Sequence, residues 1–247
     1  MLAAHCKPVA AARGYTLLEL LISMFILVTL AGAVFEQINQ MQKKSSAEAM
    51  KLDLNQAARE FVDQTVRDLH MSGYPGPSMY STQDPLRVAT GLVSVSPTQI
   101  LFEGDVNNEG NVYSVDIQYL ASDPLNPANP NCPCIRRSAA QKISADSLHP
   151  AAGAAYTETP HVLPPGTGSG QSGEDLFTYY DQNGVQVPVG SGVDISMPAG
   201  TNTPSGASII ASIKTVKINL SLVTPARDPG TNTFARISMS ATARLNQ

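Results

Sequence analysis

The chain of 247 residues has no tryptophan, and only 6% of its residues are aromatic. Its basic residues are scattered rather than interleaved with aromatics, so the stacking platforms and charged grooves of nucleic-acid binders are missing and no nucleic-acid partner is predicted. Charged residues make up just 15%, with a formal net charge of -4. That balance excludes a disordered polyelectrolyte. No internal repeat is evident. No serine, histidine and aspartate arrangement, phosphate-cradling glycine loop or pair of carboxylates stands out, so an enzyme is not expected. Cysteine is scarce, with three residues at 6, 132 and 134. The length allows one ordinary domain plus a membrane segment and is too short for two large independent cores.

Against this sparse background one segment is extreme. Residues 17–35 read LLELLISMFILVTLAGAVF, with Glu19 as the only charge. At about 1.5 Å per residue a helix of that length spans roughly 28 Å, one bilayer crossing. Lys7 and Arg13 flank its N-terminal side and the first charge beyond it is Glu36. The positive-inside tendency then keeps the N-terminus cytoplasmic and exports the body. Three readings compete. A cleaved secretory signal has a small-x-small site at Ala31-Gly32-Ala33, but a charge at mid-helix costs on the order of 2.5–3.5 kcal/mol, less toward the interface, and a disposable signal has no use for Glu19. A plain anchor carrying a periplasmic binding module tolerates Glu19 without giving it a purpose. The third reading gives it one.

Residues 13–22, RGYTLLELLI, resemble the cleavage and methylation motif of type IV prepilins and type II secretion pseudopilins: a glycine, an aromatic residue, a few apolar residues, then glutamate at the fifth position of the mature chain. The resemblance implies a leader of residues 1–14, cleavage between Gly14 and Tyr15 by a prepilin peptidase and methyltransferase, and N-methylation of Tyr15. It also implies retention of the apolar helix, a single-pass inner-membrane intermediate, and partners among other pilins and the inner-membrane assembly platform. Tyrosine stands where phenylalanine is commoner, and the leader is rather long for the type IVa group. Loss of residues 1–14 removes Lys7, Arg13 and Cys6 and leaves 14 basic against 20 acidic residues, a net charge of -6. The new α-ammonium of Tyr15 has an ordinary pKa of about 7.7–8.0 and stays cationic when methylated. In the family, the glutamate corresponding to Glu19 is thought to meet the N-terminal amine of a neighbouring subunit. Such pairing lowers the cost of burying either ion and would make Glu19 an assembly register.

Past the apolar run, residues 36–70 contain no proline or glycine, and Leu54, Ala58, Phe61, Val62, Thr65 and Leu69 recur on one helical face. Lys51, Asn55, Arg59, Asp63 and Arg67 lie opposite. Gly73-Tyr74-Pro75-Gly76-Pro77 ends the run, so one helix is expected from about Thr16 to Ser72, roughly 57 residues or 85 Å. Alternation then predicts strands at residues 113–119, 216–222 and 237–245. The last two are expected to pair antiparallel, and Asp181-Gln182-Asn183-Gly184 marks a turn after a strand at 176–180. Residues 121–175, rich in Pro, Gly, Ser and Ala, read as long irregular loops. The expected fold is α+β: a long N-terminal helix, transmembrane and then amphipathic, packed on an antiparallel sheet. Its divisions are the leader 1–14, a membrane or filament-core helix 15–36, an amphipathic helix 37–74 and a β-rich head 75–247. Arg67 to Tyr74 and Ile135-Arg136-Arg137-Ser138 are similar to segments of W-type minor pilins and J-type pseudopilins, which points to a minor subunit rather than the commonly smaller major pilin.

Other chemical candidates are weaker. Asp105, Asn107, Glu109 and Asp116 have the alternate spacing of oxygen ligands in a calcium loop, with Gly110 at its turn; the strand-like flanks suit an Asn/Gly-rich hairpin turn instead. No other cofactor is expected. Cys132 and Cys134 can close a strained eleven-membered ring, pair between chains or stay free, and spacing alone does not decide. With His149 and His161 they make a four-ligand zinc set on paper, but a one-residue gap departs from the usual ligand spacing.

Overall fold

The computed structural model describes residues 16–79, 84–124, 126–150, 155–166, 174–200 and 203–246. The main helix, α1, runs over Leu17–His70, within two residues of the expected ends. Two compact units divide the chain after Ala47. In the first, the described residues form the N-terminal part of α1. Among the described residues, the second contains residues 48–70 of α1, nine strands, a short α-helix and a 3-10 turn at Pro77–Met79.

The strands form two antiparallel sheets. The larger has the order β5-β4-β3-β2-β1-β7 and the smaller β6-β8-β9. Their ranges are β1 Leu92–Val95, β2 Gln99–Gly104, β3 Tyr113–Leu120, β4 Cys134–Gln141, β5 Ala155–Thr159, β6 Phe177–Tyr180, β7 Val193–Asp194, β8 Thr215–Val223 and β9 Arg236–Arg244. Helix α2, Gly206–Ser212, starts at Ser205, whose hydroxyl accepts from the Ser208 amide. The expected strands near 113, 216 and 237 are β3, β8 and β9, and β8 pairs antiparallel with β9 in an unbroken register from Thr215↔Arg244 to Val223↔Arg236. The expected turn after β6 forms as well: Asp181 accepts the Asn183 and Val185 amides at 2.8 Å each, and Gly184 adopts φ +76°.

One expectation fails. Residues 121–175 are not only loops, for β4 and β5 lie among them and complete the larger sheet. Strand β4 reads CIRRSAAQ and hides its role because its two arginines are held by carboxylates in place of an apolar alternation. Arg137 Nε lies 2.7 Å from Asp68 on α1, and Arg136 pairs with Asp123. Strand β2 also lacks alternation, since five of its six residues are buried.

The six apolar-face positions of α1, from Leu54 to Leu69, are all buried. They join Phe102, Val115, Ile117, Ile135, Phe177, Tyr179, Ile218 and Leu220 in one core. Thr65 tolerates burial because its hydroxyl donates to the Phe61 carbonyl at 2.8 Å. The helix ends at His70, and the chain turns at Gly73, φ +79°, whose amide donates to the Glu103 carbonyl at 2.9 Å. Here the backbones come so close that a Cβ on Gly104 would lie 2.3 Å from the Met71 carbonyl oxygen. Glu103 itself is buried against Lys142, with Oε2 2.7 Å from Nζ.

Gly104→Ala should therefore lower stability by about 2–4 kcal/mol through overpacking and displacement of the helix end, read as the urea midpoint of the detergent-solubilised chain; an unchanged midpoint would show that the backbones separate without cost. Burial holds the Asp68 carboxyl above its ordinary pKa, against the opposing pull of Arg137. Arg137→Met removes that pull and should cost about 3–5 kcal/mol at neutral pH. With a raised folded-state pKa, the charged form is the penalised one. The deficit should shrink as pH falls through the raised value and be gone below the ordinary aspartate range. A deficit equal at neutral pH and at about pH 4 would place its cause elsewhere than in this carboxylate.

Candidate functional site

Thr16 opens α1. Its hydroxyl accepts from the Glu19 amide at 3.3 Å and its carbonyl from Leu20 at 3.2 Å. Thr16 and Glu19 thus have the spacing of a capping box. That signal stood in the sequence beside the motif and gives Glu19 a local part: it is the one acidic residue of the first turn, where a carboxylate complements the positive end of the helix dipole. Gly14 and Tyr15 lie outside the described residues.

From this turn onward the helix exposes its apolar side chains. Leu17, Phe25, Leu27, Val28 and Phe35 are each at least 66% exposed, and none of the most apolar 18-residue window is buried. The polar groups are already satisfied: Ser23 donates to the Leu20 carbonyl at 2.9 Å and Thr29 to the Ile26 carbonyl at 2.8 Å. Backbone and hydroxyls need no water, as a lipid or protein-lined apolar setting demands. The twelve Leu, Ile, Phe and Val residues between 17 and 35 favour membrane insertion by roughly 4–7 kcal/mol at 0.3–0.6 each. The charge of Glu19, three residues into the helix, costs less than the mid-bilayer figure. Insertion wins.

The other candidates fall in different places. Asp105 begins the β2–β3 connection, and its carboxylate accepts the Glu109 amide at 3.0 Å and the Gly110 amide at 2.8 Å. Asn108 at φ +55° and Gly110 at φ +79° turn the chain. Asn107 is exposed, Glu109 accepts the Tyr113 hydroxyl, and Asp116 sits on β3 accepting from Gln99 at 2.9 Å. Burial raises the pKa of Asp116. Among the described residues, no three His, Cys, Asp or Glu side chains are grouped to hold a metal ion. Cys132 and Cys134 are joined as a disulfide at the start of β4. His149 lies beside Asp146, and the His161 amide donates to the Asn131 carbonyl. The Asp68–Arg137 and Glu103–Lys142 pairs were not foreseen; nothing in a linear sequence marks charges that meet 69 or 39 residues away.

Residues 48–70 of α1 hold their own core with the sheets. A chain beginning at Glu48 should thus remain monomeric and strand-rich without detergent, by size-exclusion chromatography and circular dichroism, whereas the longer chain requires detergent or lipid. Aggregation of the shortened chain would contradict that division of labour.

Residues 10–35 match the family model described as the prokaryotic N-terminal methylation motif. No curated protein and no solved structure matches the chain. The first turns of α1, with Glu19 among them, thus lie within a prokaryotic N-terminal methylation motif, and this motif supports a type IV pilin-like or pseudopilin protein.

Proposed function

We propose that the chain is a minor structural subunit of a type IV pilus, cut after Gly14 and N-methylated on Tyr15. It is held in the inner membrane by α1 with its N-terminus cytoplasmic and its β-rich head periplasmic, and is then drawn into a filament. The observation that carries this reading is the methylation motif over residues 10–35, coincident with a helix whose apolar surface is uncovered. The assignment as a minor subunit draws on the likeness of the Arg67–Tyr74 and Ile135–Ser138 segments to W-type minor pilins. The same segments resemble J-type pseudopilins, so service in a type II secretion machine is the second reading. Within either filament, Glu19 pairs with the methylated amine of an adjacent subunit. Neither charge is then left alone among apolar side chains.

Two substitutions separate processing from assembly. Gly14→Leu should leave a longer precursor in the membrane fraction, visible as a mass increase equal to the leader. Glu19→Gln keeps an amide able to serve the capping box but abolishes the charge. The processed chain should accumulate in the membrane and be missing from sheared filaments. A chain that keeps its normal mass with Gly14→Leu, or enters filaments normally with Glu19→Gln, would contradict the reading.

A further inference from the structure

Strand β9 is the outer strand of the smaller sheet and, at nine residues, the longest edge strand of either sheet among the described residues. Hydrogen bonds at its two ends fix which way its backbone points. The Thr224 amide donates to the Ala235 carbonyl and the Leu245 amide to the Lys214 carbonyl, so the odd-numbered residues between them bond to β8. The N–H and C=O groups of Arg236, Ser238, Ser240, Thr242 and Arg244 therefore point away from it. Among the described residues these groups have no backbone partner.

Natural sheets usually blunt such an edge with a proline, a bulge, a charge or a short strand. Only charge is present here, as Arg236 and Arg244 at the two ends: RISMSATAR contains no proline, and its register with β8 has no shift. The other edges are short, with β5 at five residues, β6 at four and β7 at two. Part of the β6 edge is also occupied, since the Val187 amide donates to the Tyr179 carbonyl. On the core face of β9, Ile237, Met239 and Ala241 are only half-buried. On its solvent face Arg236 and Arg244 stand at the two ends. Neither forms an ion pair among the described residues.

We propose that the outer edge of β9 takes up an extended segment of another protein by strand addition, the segment alternating apolar and polar residues and carrying an acidic side chain opposite each of Arg236 and Arg244. Backbone hydrogen bonds supply attachment, and the alternate side chains supply choice. The arginines decide against a second copy of this chain. Two β9 strands paired antiparallel about Ser240 put Arg236 opposite Arg244, and paired parallel in register they put each arginine opposite itself. Like charges directly opposite are destabilising. An acidic segment turns the same two positions into attractive pairs. This inference rests on the fold of the smaller sheet and is independent of how the N-terminus is processed.

The test uses the full chain in detergent micelles and two fluorescent nine-residue peptides. Each alternates threonine and valine; one has glutamate at both ends and the other lysine. The glutamate peptide should bind at least about tenfold more tightly than the lysine peptide, and Arg236→Glu with Arg244→Glu should reverse that preference. Ser240→Pro removes an outward N–H that β8 does not use, which an edge strand tolerates, and should abolish binding while circular dichroism is unchanged. The double charge reversal tests the same site without altering the backbone. The proposal is overturned if the two peptides bind alike, if neither binds at about 1 mM, if the charge reversal leaves the preference in place, or if the chain self-associates through β9 in a manner that Ser240→Pro abolishes.

Discussion

Nineteen consecutive residues with a single charge are costly to leave in water, and they belong to the same unbroken helix whose later turns join a buried core with the sheets. Everything else in the chain accommodates that constraint. The apolar run of residues 17–35 is exposed, satisfies the hydroxyls of Ser23 and Thr29 internally, and places its one carboxylate in the first turn, where the helix dipole favours it. Residues 54–69 reserve their apolar face for the head and present Arg59, Asp63 and Arg67 outward. A break by proline or glycine between Glu36 and His70 would uncouple the two tasks, and the sequence contains none there.

Helix and sheets are joined by specific contacts as well as by apolar burial. Asp68 meets Arg137 of β4, Lys51 meets Asp228 of the β8–β9 connection, and Asn246 donates to the carbonyl of His70. The first is largely shielded from water and the second is more exposed, so the first carries more of the fixing. A shielded ion pair adds little net stability over an apolar pair of the same shape, but losing one partner is costly. These contacts tie positions 51, 68 and 70 of the helix to β4, to the β8–β9 connection and to the residues after β9. The close approach of Gly104 to Met71 has the same effect at the helix end.

Much of this was legible in the sequence. Local signals with strong periods were read correctly: the apolar run, the helical face from Leu54 to Leu69, the glycine and proline stop, and the alternation in β3, β8 and β9. Strands without alternation were not. Strand β2 is buried on both faces, and β4 pairs Arg136 and Arg137 with carboxylates brought from elsewhere in the chain, so a stretch rich in small and polar residues concealed part of the larger sheet. The motif around Gly14, Tyr15 and Glu19 could be read because its meaning lies in spacing along the chain. The open edge of β9 could not, because an edge exists only once the strand order is known.

The central claim is that the N-terminus is made into a charged, methylated partner for Glu19 in an apolar setting. Mass spectrometry of the N-terminal peptide, from protein recovered from membranes of the native host, tests it most directly. The account predicts a chain that begins at N-methylated Tyr15. A chain beginning at Met1 would make α1 a plain anchor, and one beginning at Val34 would make it a discarded signal; either would contradict the account.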